Sequence, residues 1–332
     1  MNNKNGKYPP ESAGRNMTAN VPTAIPEERI ADIRKRLFDK AEDFETLNYV
    51  YVLDREGKLV GVLSLKDIFQ RLPESMIKEL MAVNIVKVRP HTDQERVAIL
   101  ALRHNLKSVP VVDGENVFLG AVPSDVILEI LHSENVEDVL HFAGIHKGNS
   151  FVAKIFQASP FTLIKLRLPW LVLGLFGGLF AAQIVNFFEG SLKSNFILAA
   201  FIPLIVYMAD AVGTQTETLF IRSLVYRLDI KSYFLKEIKV SLSIALILGM
   251  TLALISYFWF DLFLIGIILG TSLFFTIVSA FLLGLLVPYS LNKFKKDPAI
   301  ASGPLGTIMR DILSLTLYFY IASILLKFFP GI

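Results

Sequence analysis

Two oily stretches of this chain carry carboxylates. Asp311 falls near the start of the apolar run 308–328, and Asp210 and Glu217, with Gln215 between them, fall in MADAVGTQTETLFIR of another run, 196–221. Bringing a charge to that depth costs on the order of 3 kcal/mol on insertion scales, so intramembrane acids line polar paths or water-filled cavities. The chemistry these residue types offer is oxygen ligation of a cation. Gly213 would permit a local unwinding whose carbonyls add ligands, Pro203 favours a bend, and Asp210 is expected in a water-lined position. Hydrogen bonding between helices is the other use for Thr214, Thr216 and Thr218. Arg310 precedes Asp311, but successive helical residues diverge by about 100°, so the two do not share a face. Arg310 is expected to snorkel to the membrane edge.

The elements that must hold these acids follow from hydropathy. The chain of 332 residues is 53% hydrophobic and only 19% charged, with a mean hydropathy of +0.52, a balance that belongs to polytopic membrane proteins. Residues 1–150 hold 19 Lys and Arg against 22 Asp and Glu, and residues 151–332 hold 14 against 8. A mildly acidic soluble half thus precedes a basic membrane half, which argues against a nucleic-acid partner, because that needs a basic face on a soluble domain. Five apolar segments, near 169–188, 196–221, 240–260, 262–290 and 308–328, each approach or exceed the ~20 residues that span a bilayer. Lys154, Lys165 and Arg167 before the first, Arg222 to Lys239 after the second, and Lys293, Lys295 and Lys296 after the fourth fall on one side; Lys193 and Lys327 fall opposite. The positive-inside rule then puts the soluble half in the cytosol and the C-terminus outside, in a cytoplasmic (inner) membrane.

Residues 1–25 are polar, rich in Asn, Pro and Gly, and read as a disordered leader without a signal-peptide core. Residues 26–132 contain two passages of one design, about 26–73 and 74–132. Each has a helix, a strand, a turn, a strand and a helix, with Asp54/Gly57 turning the first hairpin and Asp113-Gly114 the second. Halves this small are expected to share a core. The passage resembles a tandem CBS, or Bateman, module. The resemblance implies that Gly61, Ser64 and Asp67 match a motif whose hydroxyl and carboxylate hold the ribose of an adenine nucleotide such as ATP; the alternative is that Ser64 and Asp67 are ordinary helix caps. The second repeat departs, with Pro123 at the hydroxyl position and Asp125 one place early.

Residues 133–168 read as a connector. Gly144 and Gly148 interrupt its first helix, Pro160 bends or breaks the second, and it joins the soluble module directly to the membrane.

Nearly the whole chain resembles the MgtE family of magnesium channels and transporters. Pro203, Gly213, Thr214, Gln215 and Arg222 match one family signature, and Asp297-Pro298-Ala299, Ser302-Gly303-Pro304 and Asp311 match another. The resemblance implies a homodimer in the lipid bilayer with a pore on its axis, Asp311 in that pore, and regulatory Mg²⁺ at the connector pair Glu137-Asp138 with Glu134 close by. Crowded like charges there repel until a cation bridges them; for Glu134 a solvated helix face is the equal alternative. Two departures stand out. Ala209-Asp210-Ala211 stands where the resemblance implies Gly-Gly-Asn, gaining a carboxylate, and the family's N-terminal helical domain is expected to be absent, which would leave gating to the CBS module and connector.

The physics of Mg²⁺ agrees with one or two carboxylates acting through retained waters, though the same ligands accept Mn²⁺, Co²⁺ or Ca²⁺. The absence of Cys excludes thiolate sites and disulfides. The five His show no pair at i, i+4, so no zinc hydrolase is indicated, and no Gly-x-x-x-x-Gly-Lys loop supplies ATP-driven transport. The fold expected is an α/β tandem CBS module followed by an all-α polytopic domain of five helices. The function that the resemblance implies is gradient-driven transport of a divalent cation, most simply Mg²⁺, with gating by cytosolic Mg²⁺ expected at the connector and by nucleotide if one binds the CBS module. The alternatives are a transporter or exporter of another divalent metal, or a non-conducting membrane-anchored nucleotide sensor. Small residues at Gly174, Gly178, Gly266 and Gly270 are expected at close helix contacts.

Overall fold

The computed structural model describes residues 7–145, 158–190, 196–226, 229–260, 263–294, 297–299 and 303–328. They form two compact units, residues 1–135 and 136–332.

The first unit is a repeat built on two hairpins. Its elements are α1 Ala13–Asn16, β1 Thr23–Ala24, α2 Ile30–Asp39, β2 Tyr49–Leu53, β3 Leu59–Ser64, α3 Leu65–Gln70, α4 Ile77–Leu80, α5 Gln94–Arg103, β4 Ser108–Val112, β5 Phe118–Pro123 and α6 Ser124–Phe142. Strands β2 and β3 pair antiparallel, as do β4 and β5, and both ladders shift register at the same point, Val52/Leu53 and Val111/Val112. Each turn is closed by an aspartate. Asp54 Oδ1 accepts from the Glu56 and Lys58 amides at 2.9 and 2.8 Å, and Asp113 Oδ1 accepts from those of Glu115 and Val117 at 3.0 and 2.9 Å. Positive φ falls on Gly57 (78°) and on Asn116 (71°), so the second turn rests its strained residue on Asn116 and not on Gly114. Asn and Gly are the residues that tolerate this conformation.

Each repeat has its own core, around Ile30, Ile33, Val50 and Ile68 in the first and Val97, Val109, Val111 and Val122 in the second. A third cluster, with Val21, Tyr51, Leu59, Val112 and Ala121, joins them. Tyr51 donates to Ser108 Oγ at 2.9 Å, Ser108 donates to the Val122 carbonyl at 3.0 Å, and the Tyr51 ring stacks on Phe118 at 4.7 Å. The halves are thereby bonded across their shared core.

The reading of residues 1–25 as a disordered leader is overturned from residue 7 onward. Ala13 is buried in the second repeat's core and Ala24 in the first, while β1 pairs parallel with β2. Backbone bonds fix the rest: the Ala13 amide to Thr92 O (2.7 Å), Gly14 to Pro90 O (2.8 Å), and Thr18 and Ala121 reciprocally (both 2.9 Å). Main-chain pairing, which composition does not display, substitutes for apolar content.

The second unit contains the end of α6 and five long helices: α7 Pro160–Phe187, α8 Phe196–Val225, α9 Ile230–Phe260, α10 Phe263–Lys293 and α11 Pro304–Phe328. All five are long and apolar enough to cross a membrane. Several outrun their apolar runs, because a helix continues through Lys165, Arg167, Lys231 and Lys236 into the polar boundary. Pro160 neither bends nor breaks a helix but starts α7, after an N-cap at Ser159, where proline's missing N–H is no loss. Gly148 lies outside the described residues. Gly144, at φ 73°, ends α6 with its amide on His141 O at 2.9 Å.

Helix α10 is the most buried of the five. It meets α9 where Gly249, Gly266 and Gly270 leave no room for a side chain; a Cβ on Gly266 would lie 2.6 Å from Ala253 O, and one on Gly270 2.6 Å from Gly249 O. Gly174 and Gly178, read as helix-contact positions, have open space instead, and no residue of α7 is buried within the chain.

Candidate functional site

Helix α8 is continuous from Phe196 to Val225, so Gly213 does not unwind it. Asp210, Thr214 and Glu217 recur at i, i+4 and i+7 and form one stripe. Arg310, from α11, reaches into that stripe. Its Nε donates to Asp210 Oδ1 at 2.8 Å, Nη1 to Glu217 Oε2 at 2.6 Å, and Nη2 to Thr214 Oγ1 at 3.1 Å. The Arg310 and Glu217 side chains are each only 2% exposed, and that of Asp210 is 33% exposed.

This corrects one expectation and adds to another. Arg310 does not snorkel outward; two carboxylates and a hydroxyl hold it inside the bundle, where an unpaired guanidinium would be costly. Asp210 has one oxygen committed to Arg310 and is not simply a water-lined acid. The glycine is explained as well: a Cβ on Gly213 would collide with Arg310 Cδ, and one on Gly284 of α10 would lie 2.7 Å from Gly213 O. Gly213 therefore serves close approach on two sides.

Asp311, the next residue of α11, is offset from Arg310 by about 100° around the helix. It is half-buried and makes no hydrogen bond or ion pair with the other described residues, while both Asp210 and Arg310 act on it electrostatically. Pro203 and Gln215 are exposed residues of α8; Pro203 falls seven residues before Asp210, on the same stripe, and Gln215 on another face. Gly303 is buried against the His141 carbonyl and Pro304 opens α11; Ser302 lies outside the described residues.

Within two turns of this cluster along α8 and α11, the last turns of α6 pack on Arg222, Asp297, Gly303 and Pro304. Asp138 Oδ2 lies 3.0 Å from Arg222 Nη2, Glu137 Oε1 3.7 Å from His141 Nε2, and His141 Nδ1 3.1 Å from Asp297 Oδ2. Gly144 abuts Pro304. The Asp297 carboxylate first, then Glu137 and Asp138, raise the His141 pKa over the opposing effect of burial. Burial raises that of Asp138 despite Arg222 beside it. Glu134, in the first unit, accepts from Gln94 Nε2 at 2.6 Å. The three acids read as regulatory ligands are thus each engaged by protein. Among the described residues no three His, Asp or Glu groups surround a single point where a metal would sit.

In the first unit Ser64 caps α3, accepting from the Asp67 amide at 3.1 Å and donating to Asp67 Oδ2 at 2.5 Å.

Sequence reasoning missed Arg310 as a hub, His141 and the buried pair Thr216–Glu237 (3.0 Å). The signal for the first was present: two acids on one stripe of an oily helix require a cation. Glu137 and His141, four apart, were a second signal.

This architecture defines a protein with a tandem α/β unit, five helices long and apolar enough to cross a membrane, and charge buried between two of them. The CBS domain family matches residues 15–74 and 77–133, and MgtE, the divalent cation transporter family, matches residues 202–321. The magnesium transporter MgtE of Bacillus subtilis is 37% identical over 321 residues, 95% of this chain and 70% of that one. That of Thermus thermophilus is 32% identical over 328 residues, 97% of this chain and 71% of that one. The solved cytosolic domain of an Mg²⁺ channel MgtE, in complex with ATP, is 35% identical, with a TM-score of 0.37 over 37% of this chain and 50% of that one. The chain belongs to the MgtE family, a family of transporters and not of enzymes.

Proposed function

We propose that this chain transports Mg²⁺ across the cytoplasmic membrane, down the electrochemical gradient, as a homodimer with the CBS pair in the cytosol and the C-terminus outside. Membership of a family whose named relatives are magnesium transporters supports the cargo. The observation that carries the site is Asp311, a half-buried carboxylate on a membrane-length helix without a protein partner among the described residues. Mg²⁺ dehydrates reluctantly and is held through its waters by one or two carboxylates. Asp311 and its twin from a second copy would supply them, attracting the ion without trapping it. An inside-negative potential favours entry by about 4.6 kcal/mol per 100 mV for a divalent ion.

Gating is assigned to the junction of α6 with the membrane helices. Glu137 and Asp138 would exchange their contacts with His141 and Arg222 for cytosolic Mg²⁺, so that the ion favours one of two arrangements by differential affinity. Glu134 stands one turn earlier. Ser64 and Asp67 would turn from capping α3 to holding a ribose if an adenine nucleotide binds.

Uptake of Mg²⁺ into proteoliposomes, in competition with Mn²⁺, Co²⁺ and Ca²⁺, tests the reading. Selective Mg²⁺ flux supports it; Mg²⁺ that neither permeates nor blocks contradicts it. One observation favours a second reading, in which another divalent metal is the cargo: the carboxylate at Asp210, which the related pattern lacks.

A further inference from the structure

We propose that Asp210 and Arg310 form a charge-setting pair that fixes the affinity of the Asp311 position for a divalent cation. Asp210 acts as the counter-ion of Arg310 and not as an ion ligand. The inference rests on the proposed passage of cations at Asp311. Its ground is geometric. Arg310 immediately precedes Asp311 on α11, turns about 100° away from it, and is immobilised by three bonds to one stripe of α8. The absence of a side chain at Gly213 lets the Arg310 stem lie flat against α8.

A guanidinium so held is a fixed positive charge within electrostatic reach of the Asp311 carboxylate, and Asp210 is a fixed negative one. The cluster sets one cation, Arg310, against the carboxylates of Asp210 and Glu217 beside Asp311, so neutralising any one of them changes the charge near Asp311 by one unit. Coulomb interactions with a doubly charged ion are twice those with a monovalent one, so one unit of charge in this cluster moves divalent affinity more than monovalent affinity. Arg310 and Asp210 are positioning residues in this scheme; only Asp311 meets the hydrated ion.

The test is a cycle of D210N, R310Q and the double variant D210N/R310Q, in reconstituted full-length protein normalised to the amount incorporated. D210N should raise the Mg²⁺ concentration for half-maximal flux on the order of tenfold, and R310Q should lower it while slowing maximal flux. The double variant restores the net charge and should return the half-maximal concentration to within about threefold of the parent. Were Asp210 an ion ligand, the double variant would be as impaired as D210N, which overturns the proposal. A purely structural cluster would change the folded yield and leave the half-maximal concentration where it was, which overturns it too. Mn²⁺ binding to the detergent-solubilised variants, followed by electron paramagnetic resonance, should show the same order of affinities without any flux. Absence of flux in the parent protein therefore counts against transport, and the order of Mn²⁺ affinities decides the charge-setting pair independently.

Discussion

Arg310 Nη1 lies 2.6 Å from Glu217 Oε2, and both side chains are only 2% exposed. Removing one partner of a buried pair strands the other charge, at about 3–5 kcal/mol. Glu217→Ala should therefore lower the thermal midpoint of the detergent-solubilised protein more than Asp210→Ala, because Asp210 retains access to solvent. Thermal unfolding monitored by size-exclusion fluorescence checks the order. Replacing Glu217 and Arg310 together should cost less than the sum of the two single losses.

Glycine substitutions separate packed faces from open ones. Gly284→Ala would put a Cβ 2.7 Å from Gly213 O, forcing α8 and α10 apart, and overpacking of that kind costs about 1–3 kcal/mol. Gly174→Ala meets nothing within 4 Å in the chain and should leave the midpoint of the monomer unchanged. The same thermal assay reads both.

A pH dependence follows from His141. Its pKa is raised above 6.5, chiefly by Asp297. A raised value means that the protonated form is favoured in the folded state, so its stabilisation is complete below about 6.5 and fades as pH climbs through the folded value. The contact of residues 137–145 with Asp297, Gly303 and Pro304 should accordingly loosen with rising pH. Hydrogen exchange, corrected for its intrinsic pH dependence, measures this, and Asp297→Asn should flatten the profile.

Ser64→Ala removes the N-cap of α3 and should destabilise the first unit by about 1 kcal/mol. Chemical denaturation reads that loss. If nucleotide also binds there, the same variant weakens ATP affinity, which calorimetry on the full chain would register.

Hydropathy and repetition made much of this molecule legible in its sequence. The five long helices follow from runs of about 20 apolar residues, and the paired hairpins from Asp54/Gly57 and Asp113 before two alternating strands. Asp311 was visible as a charge in an oily run. Other features depended on information that a linear pattern lacks. The direction of Arg310 was decided by Asp210 and Glu217, on a helix far away in sequence. The order of residues 7–25 came from main-chain bonds to Pro90, Thr92 and Ala121, which leave no trace in composition. Gly213 has helix-breaking character as a residue type, yet its neighbours Arg310 and Gly284 gave it a packing role.

The central claim is that Asp311 is the carboxylate a transported divalent cation meets. The direct measurement is Mg²⁺ uptake by proteoliposomes containing the parent chain or Asp311→Asn, an isosteric change that removes the charge without emptying the position. The account predicts a fall in uptake of at least about tenfold at equal incorporation and an unchanged thermal midpoint. Undiminished Mg²⁺ uptake by Asp311→Asn would contradict it.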